Sequence, residues 1–305
     1  MSASASVSAS ASAATPVRPH GYALTLSCPS AAGQVAAVAA FLDRHHCYID
    51  ELTVFDDAEG TRFFLRCVFH EVTQDGAQAS LNLAALRDDF APTGRAHGMD
   101  WAIHDLRRRP KVLILVSKLE HCLNDLLFRW RVGELKMEIA GIASNHPDFE
   151  SIAQQHRLPF HHLPVNAQTR EHQEAQLLDL VESSGAELVV LARYMQILSD
   201  ATSAKLSGRA INIHHSFLPG FKGARPYHQA HARGVKLIGA TAHFVTADLD
   251  EGPIIEQEVQ RVDHSYGPER LLAVGRDLEC VTLARALKAV LEHRVFINGA
   301  RTVVL

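Results

Sequence analysis

Cysteine is sparse in this sequence: five occur among 305 residues, at 28, 47, 67, 122 and 280, with no C-x-x-C pair. An odd, scattered set argues against both a disulfide framework and a zinc ribbon, and points to a reducing compartment, the cytoplasm. Long apolar runs are missing too. Stretches such as Val112 to Val116 fall far short of the ~20 residues that cross a bilayer, so no membrane span is expected. There is no excess of positive charge: 30 Lys and Arg against 34 Asp and Glu leave a net charge of −4, which lacks the electrostatic footprint of a nucleic-acid binder. Residues 1–20, a Ser/Ala repeat, have neither the basic start nor the apolar centre of a secretory signal. They carry one arginine, Arg18, where a transit peptide carries several, and they read as a disordered tail. The 19 histidines include adjacent pairs at 45–46, 161–162 and 214–215. Adjacent histidines on a strand diverge, and H-E-x-x-H is absent, so no metal is expected.

What is present falls into two blocks with different rhythms. From Tyr22 the pattern reads strand (YALTLSC), helix (Gln34 to His45), strand (Tyr48 to Phe55), strand (Thr61 to His70), helix (Gln78 to Phe90) and strand (Met99 to Leu106), with a turn over 56–60. That β-α-β-β-α-β order is a ferredoxin-like unit over 21–106. Arg107, Arg108, Arg109 and Pro110 break the apolar pattern and read as an exposed linker. Beyond Pro110, KVLILVS, KMEIAGIAS, ELVVLA and AINIHHS alternate with helical stretches. Continuous apolar strands spaced by helices predict a Rossmann-like α/β domain over 111–305, its parallel sheet covered on both faces. LIGATAHFV and PIIEQEVQRV add strands of mixed direction, and a helix from Pro268 to about His293 closes the chain.

Ligands in such sheets gather at the carboxyl ends of the strands. Asn212 and His214 stand at the end of AINIHHS, and Asp250 lies in the loop TADLDEGPII. Residues two apart on a strand share a side, so Asn212 and His214 are expected to project together while His215 points away. The backbone chemistry of Leu218-Pro219-Gly220 and of Gly252-Pro253 shapes both segments. Such a trio suits attack on a carbonyl carbon. Asn212 donates to the oxyanion, His214 moves protons or adds positive charge, and Asp250 orients the imidazole or the nucleophile. Spacing alone leaves another reading open, in which Asn212 caps a turn, His214 packs and Asp250 is a loop acid.

From Ala201 through Ala247 there is no Asp or Glu, yet Lys205, Arg209, Lys222, Arg225, Arg233 and Lys236 lie there beside His214, His215, His228, His231 and His243. This cationic window is expected either to receive an anionic substrate or to be a solvated basic face; in the first case Asp250 is held ionised.

INIHHSFLP, GATAHFV and LDEGPII together resemble the catalytic core of the folate-dependent formyltransferase fold, whose Asn, His two residues on and Asp 38 residues after the Asn match Asn212, His214 and Asp250. With VSKLEHCLNDLLFRWRVGEL, SNHPDF, LARYMQILS and KGARPYHQAHARGVKLIGATAHF, the chain is similar to the formyltetrahydrofolate deformylase family over residues 21–300. The resemblance implies hydrolysis of 10-formyltetrahydrofolate to formate and tetrahydrofolate, supplying formate for purine synthesis and balancing one-carbon pools. Folate and water are the partners, and no cofactor is implied because the folate is the substrate. Asn212, His214 and Asp250 take the matching family roles. The pterin pocket falls to Arg193, Tyr194, Met195, Gln196, Ile197 and Leu198, with Thr241 and His243 beside the catalytic centre.

Transfer to an amine acceptor, or a non-catalytic amino-acid or folate sensor, are the rival expectations. Relatives that formylate glycinamide ribonucleotide hold its phosphate with a glycine-containing loop after the first strand. This sequence has no glycine between Gly98 and Gly133, and Lys118, Leu119, Glu120, His121 and Cys122 stand there instead. A methionyl-tRNA formyltransferase needs a further nucleic-acid-binding domain, whereas 55 residues follow Asp250. Water is therefore the expected acceptor. The N-terminal block resembles an ACT domain, a module that pairs with a second copy, so a homo-oligomer is expected through it. The usual Asp-Arg-Pro-Gly reads Ser30-Ala31-Ala32-Gly33, and Tyr48 replaces a common Asn, which favours an oligomer contact over effector binding.

Overall fold

The computed structural model describes residues 21–72, 81–219 and 226–305. The expected tail, the start of the second helix at Gln78, and Gly220, Lys222 and Arg225 lie outside them. The N-terminal unit is a sheet of β1 (Tyr22–Pro29), β2 (Cys47–Asp57), β3 (Arg62–Glu71) and β4 (Asp100–Asp105) in the order β2-β3-β1-β4. All its pairings are antiparallel. Helices α1 (Gln34–Arg44) and α2 (Leu83–Ala96) follow β1 and β3, giving the expected β-α-β-β-α-β order. Its core is the inner face of the sheet, including Leu24, Leu26, Leu65 and Phe69, packed on Phe41 and Leu42 of α1 and Phe90 of α2. The second helix starts later than its apolar pattern suggested because Asn82 caps it, accepting from the amides of Ala84 and Ala85 at 3.1 and 3.2 Å, which satisfies two otherwise orphaned donors.

The larger sheet has seven strands in the order β11-β10-β9-β8-β5-β6-β7. These are β5 (Lys111–Val116), β6 (Glu138–Ser144), β7 (Phe160–His162), β8 (Leu188–Leu191), β9 (Ala210–His214), β10 (Leu237–Phe244) and β11 (Ile254–Arg261). From β5 to β9 the neighbours run parallel, while β10 and β11 are antiparallel additions. The alternation of β5 explains the two faces. Val112, Ile114 and Val116 pack with Leu123 and Leu126 of α3 (His121–Arg131) and Leu283 and Leu287 of α8 (Pro268–Leu291). Leu113 and Leu115 pack with Leu177 and Val181 of α5 (Arg170–Ser184). Short helices α4 (Glu150–Gln155), α6 (Asp200–Lys205) and α7 (Pro226–Ala232) complete the set. The chain leaves β5 toward β6 on one side and returns to β8 on the other, so the space beyond the carboxyl ends of β5 and β8 is a topological switch point.

After α8 the chain forms a hairpin of β12 (Val295–Asn298) and β13 (Arg301–Val304) that sequence reasoning missed. It grips the N-terminal unit: Phe296 stacks edge-on against Phe64 at 5.6 Å, and Asn298 Nδ2 donates to Asp57 Oδ2 at 2.8 Å. Nearby, Arg66 Nε donates to the Glu292 carbonyl at 3.1 Å and the rings of His104 and His293 stack at 3.7 Å. No helix among the described residues is long and apolar enough to cross a membrane.

Candidate active site

A cavity of about 540 Å³ opens beyond the carboxyl ends of β8 and β9, and Asn212, His214, His243 and Asp250 all line it. Asn212 and His214 are brought there by β9. The antiparallel β10 sets His243 directly across from Asn212 and Thr241 across from His214. Asp250 arrives on the loop before β11 with φ of +58°, and Gly252 lets that loop close: a Cβ at Gly252 would stand 1.7 Å from the Phe244 carbonyl oxygen.

The polar groups join in one chain. His243 Nδ1 donates to the Phe244 carbonyl at 2.8 Å, which leaves Nε2 to accept from Asn212 Nδ2 at 3.2 Å. His214 Nδ1 meets Asp250 Oδ2 at 3.1 Å, and Asp250 Oδ1 lies 3.7 Å from His243 Nε2. Burial of Asp250 favours its neutral form, but the hydrogen bond from His214 Nδ1 and the nearness of both imidazoles outweigh it and hold the carboxyl well below its ordinary range. The carboxylate is therefore ionised, as the sequence suggested, although the cause is two imidazoles rather than a basic surface. Of the window's basic residues, Lys205, Arg209, Arg233 and Lys236 are not on the cavity wall; Lys222 and Arg225 lie outside the described residues. His214 is 4% exposed, and its Nε2 is buried without a partner among the described residues. An imidazole anchored at Nδ1 with Nε2 free is arranged to take and return a proton.

The opposite wall is the segment after β8. Arg193, Tyr194, Met195, Gln196, Ile197 and Leu198 all line the cavity. The segment is tied down at several points: Met195 N donates to Ser117 Oγ at 3.0 Å, Arg170 Nη2 donates to the Ile197 carbonyl at 2.6 Å, and Gln173 Nε2 donates to Tyr194 Oη at 2.8 Å. Burial pushes the Tyr194 hydroxyl up to about 12, so it stays protonated. Exposed Met195 and Ile197 give the wall an apolar lip suited to an aromatic ring.

Two expectations are corrected. His215 does not point away from His214, because β9 ends at His214 and the chain bends. Both histidines line the cavity, with ring centroids 5.0 Å apart. Burial and the Arg193 charge push His215 down to about 4, so it is neutral at neutral pH. Thr241 lies behind the wall rather than on it, fully buried. Its hydroxyl donates to the Ser216 carbonyl at 2.9 Å and accepts from Leu218 N at 3.1 Å, shaping the turn after β9.

Sequence reasoning also missed Glu279, buried in α8 beside the cavity. A signal existed, since Leu271, Gly275, Glu279 and Thr282 follow helical spacing on the buried face, where a carboxylate requires a partner. His121, Cys122 and Glu279 are residue types that could hold a metal. Glu279 faces the Arg193 guanidinium, and a hydrogen bond with Cys280 together with burial pushes the Cys122 thiol far from ionisation.

Comparison with known proteins gives the family. A family profile described as formyl transferase matches residues 110–287. A formyltetrahydrofolate deformylase from Corynebacterium sp. (strain P-1) is 52% identical over 93% of this chain and 98% of its own length. The crystal structure of a formyltetrahydrofolate deformylase from Burkholderia mallei superposes with a TM-score of 0.88 at 70% identity, covering 94% of this chain and 100% of that one. A glycinamide ribonucleotide transformylase from Symbiobacterium toebii is more distant, at 30% identity and a TM-score of 0.62 over 65% of this chain and 94% of its own. That coverage leaves about a third of the chain unmatched in the transformylase, whereas the deformylases match both units, and on this ground the chain belongs to the formyltetrahydrofolate deformylase family.

Proposed function

We propose that this chain hydrolyses 10-formyltetrahydrofolate to tetrahydrofolate and formate, with Asn212, His214 and Asp250 as its catalytic residues. The observation that carries the reading is the convergence of these three on one cavity whose opposite wall is the segment 193–198. The pterin lies against that wall, and the formyl group reaches the polar chain. His214 Nε2 takes a proton from water as the water oxygen bonds to the formyl carbon. The carbonyl electrons move to oxygen, and the oxyanion accepts from the Asn212 N–H that His243 leaves free. Collapse of the intermediate breaks the bond between carbon and N10. The proton on His214 passes to that nitrogen, and formic acid leaves and ionises in solvent. Asp250 keeps the Nδ1 proton of His214 in place and stabilises the transient imidazolium. Every atom and charge is supplied by substrate, water and these side chains.

Two structural units, 21–106 and 111–305 joined by 107–110, fit this division of labour, with the first serving assembly. Support comes from β2, an edge strand that exposes Tyr48, Leu52, Val54 and Phe55. A long apolar edge favours pairing with another strand, here a second copy of the chain. The test of the activity is direct. Purified protein and 10-formyltetrahydrofolate are incubated with and without an amine acceptor, and formate is measured. Formate released without the amine supports the hydrolase; formyl transfer that requires the amine rejects it.

A further inference from the structure

Glu279 does not itself line the cavity, yet its carboxylate, at 1% exposure, is among the most deeply buried charges of the described residues. Three segments converge on it. His121 Nε2, at the start of α3, lies 2.7 Å from Oε2; Tyr227 Oη, on α7, donates to Oε1 at 3.0 Å; Arg193 Nε, at the end of β8, stands 3.3 Å from Oε2. The helix is built to receive this contact. One turn before Glu279, a Cβ at Gly275 would lie 2.1 Å from the Tyr227 ring, so the absent side chain makes room for the tyrosine whose hydroxyl the glutamate accepts.

The contact with Arg193 differs from the others. Arg193 is buried, and neither Nε nor Nη1 finds an aligned hydrogen bond among the described residues. Its φ is +65°, a region disfavoured for any residue with a Cβ. A buried cation whose Nε and Nη1 lack aligned acceptors is held there by charge, and among the described residues the ion pair with Glu279 is the one assigned to Arg193. Burial favours the neutral form of Glu279, but the hydrogen bond from His121 and the charge of Arg193 prevail and keep it ionised.

We propose that Glu279 is a positioning residue for the folate wall: its negative charge holds the Arg193 guanidinium and thereby sets the 193–198 segment in the conformation that receives the pterin. This rests on the assignment of that wall to the folate and adds the device that shapes it. Because the hydrogen bonds and ion pair of Glu279 go to His121, Tyr227 and Arg193 and not to Asn212, His214 or Asp250, its loss affects folate binding rather than the chemical step.

The test is Glu279→Gln, which keeps the side chain's shape and its acceptor for Tyr227, removes the charge and turns an amide N–H in place of Oε2 toward Arg193 and His121. The folded variant is expected to raise KM for 10-formyltetrahydrofolate at least fivefold with kcat within threefold of the parent. A smaller rise in KM, or a larger loss in kcat, overturns the proposal. Should Glu279→Gln not fold, Arg193→Met is compared with Arg193→Met/Glu279→Gln, in which neither buried charge is left unpaired. Equal KM values within threefold are expected, since Glu279 acts through Arg193; a double variant worse by more than that overturns it. The parent protein run in parallel separates the two readings. A parent that releases no formate rejects the hydrolase, and an active parent with unaffected variants rejects only the role of Glu279.

Discussion

Asp250→Asn tests the centre of the mechanism. The carboxylate sits 3.1 Å from His214 Nδ1, and at an effective dielectric constant of about 20 two unit charges at that separation attract by ~5 kcal/mol. The Asp250 side chain is 13% exposed, so solvent screens part of this. A transition-state loss of ~3–4 kcal/mol remains, or about 10²–10³-fold in kcat. A second effect acts in the same direction. An asparagine amide turned toward His214 donates to Nδ1, shifts the proton to Nε2 and removes the base. The substitution is nearly isosteric, so thermal unfolding should stay close to that of the parent while single-turnover formate release collapses. A decrease in kcat smaller than tenfold, or a rise in KM with kcat intact, would refute the proton path through His214. The pH dependence checks the same point. The Asp250 pKa is lowered on folding, so the stabilisation it gives is present above the unfolded value near ~3.9 and is lost only as pH falls through the lower folded value. Between about pH 5 and 9 neither activity nor stability should show a step from this group.

Other substitutions probe the scaffold. Gly252→Ala forces a Cβ toward the Phe244 carbonyl 1.7 Å away, so the loop carrying Asp250 must shift; formate release should fall at least ~10-fold, as misplacement of a catalytic group does, and steady-state kinetics on the purified variant will show it. Asn82→Ala removes the cap of α2 and should cost about 0.5–2 kcal/mol in urea unfolding with KM and kcat unchanged. His104 and His293 stack where the two units meet, and burial pushes them down to about 3 and about 4. Both stay neutral in the folded protein while the unfolded chain takes up protons below ~6.5, so stability is complete above that value and declines as pH falls toward 4, by up to ~1.4 kcal/mol per pH unit for each group. His104→Phe should make the loss of thermal stability between pH 7 and 5 shallower; an unchanged slope would remove these histidines from the account.

Much of this architecture is legible from local chemistry. Unbroken apolar strands such as KVLILV could only be central and parallel, and the two-residue spacing of Asn212 and His214 placed both on the cavity side of β9. Where the reading failed, a competing local rule had won. His215 was assigned to the far side on the premise of a continuing strand, and the strand stops one residue earlier. The hairpin β12–β13 turns through Gly299 and Ala300, with Gly299 at φ +63° in the first central position, where a two-residue hairpin loop favours glycine; that signal is local and lies beyond the closing helix. Within the basic window, Lys205, Arg209, Arg233 and Lys236 fold away from the cavity, whose charged lining among the described residues is Arg193, Asp248 and Asp250, because proximity in linear sequence does not fix a shared face. Glu279 and Arg193 are distant in sequence, and neither segment alone announces that they meet.

Backbone conformation links the site to its energetics. Six non-glycine residues among those described have positive φ: His46, Thr61, Arg157, Arg193, Asp250 and His293. Arg193 and Asp250 are the two of these that line the cavity, each in a conformation that costs of order 1–3 kcal/mol. Each also carries a charge answered by fixed partners of opposite or protonatable character, Glu279 for Arg193 and the two imidazoles for Asp250. Glycine at either position would relieve the backbone and lose the charge, so conformation and charge are tied: the electrostatic partner offsets the strain, and the strain delivers the side chain where a relaxed strand end would not. On this view the catalytic wall and the folate wall are built by one device used twice, a left-handed residue locked by an ion pair to an element outside its own segment. That is also why the two walls should respond differently to loss of charge, the first through kcat and the second through KM.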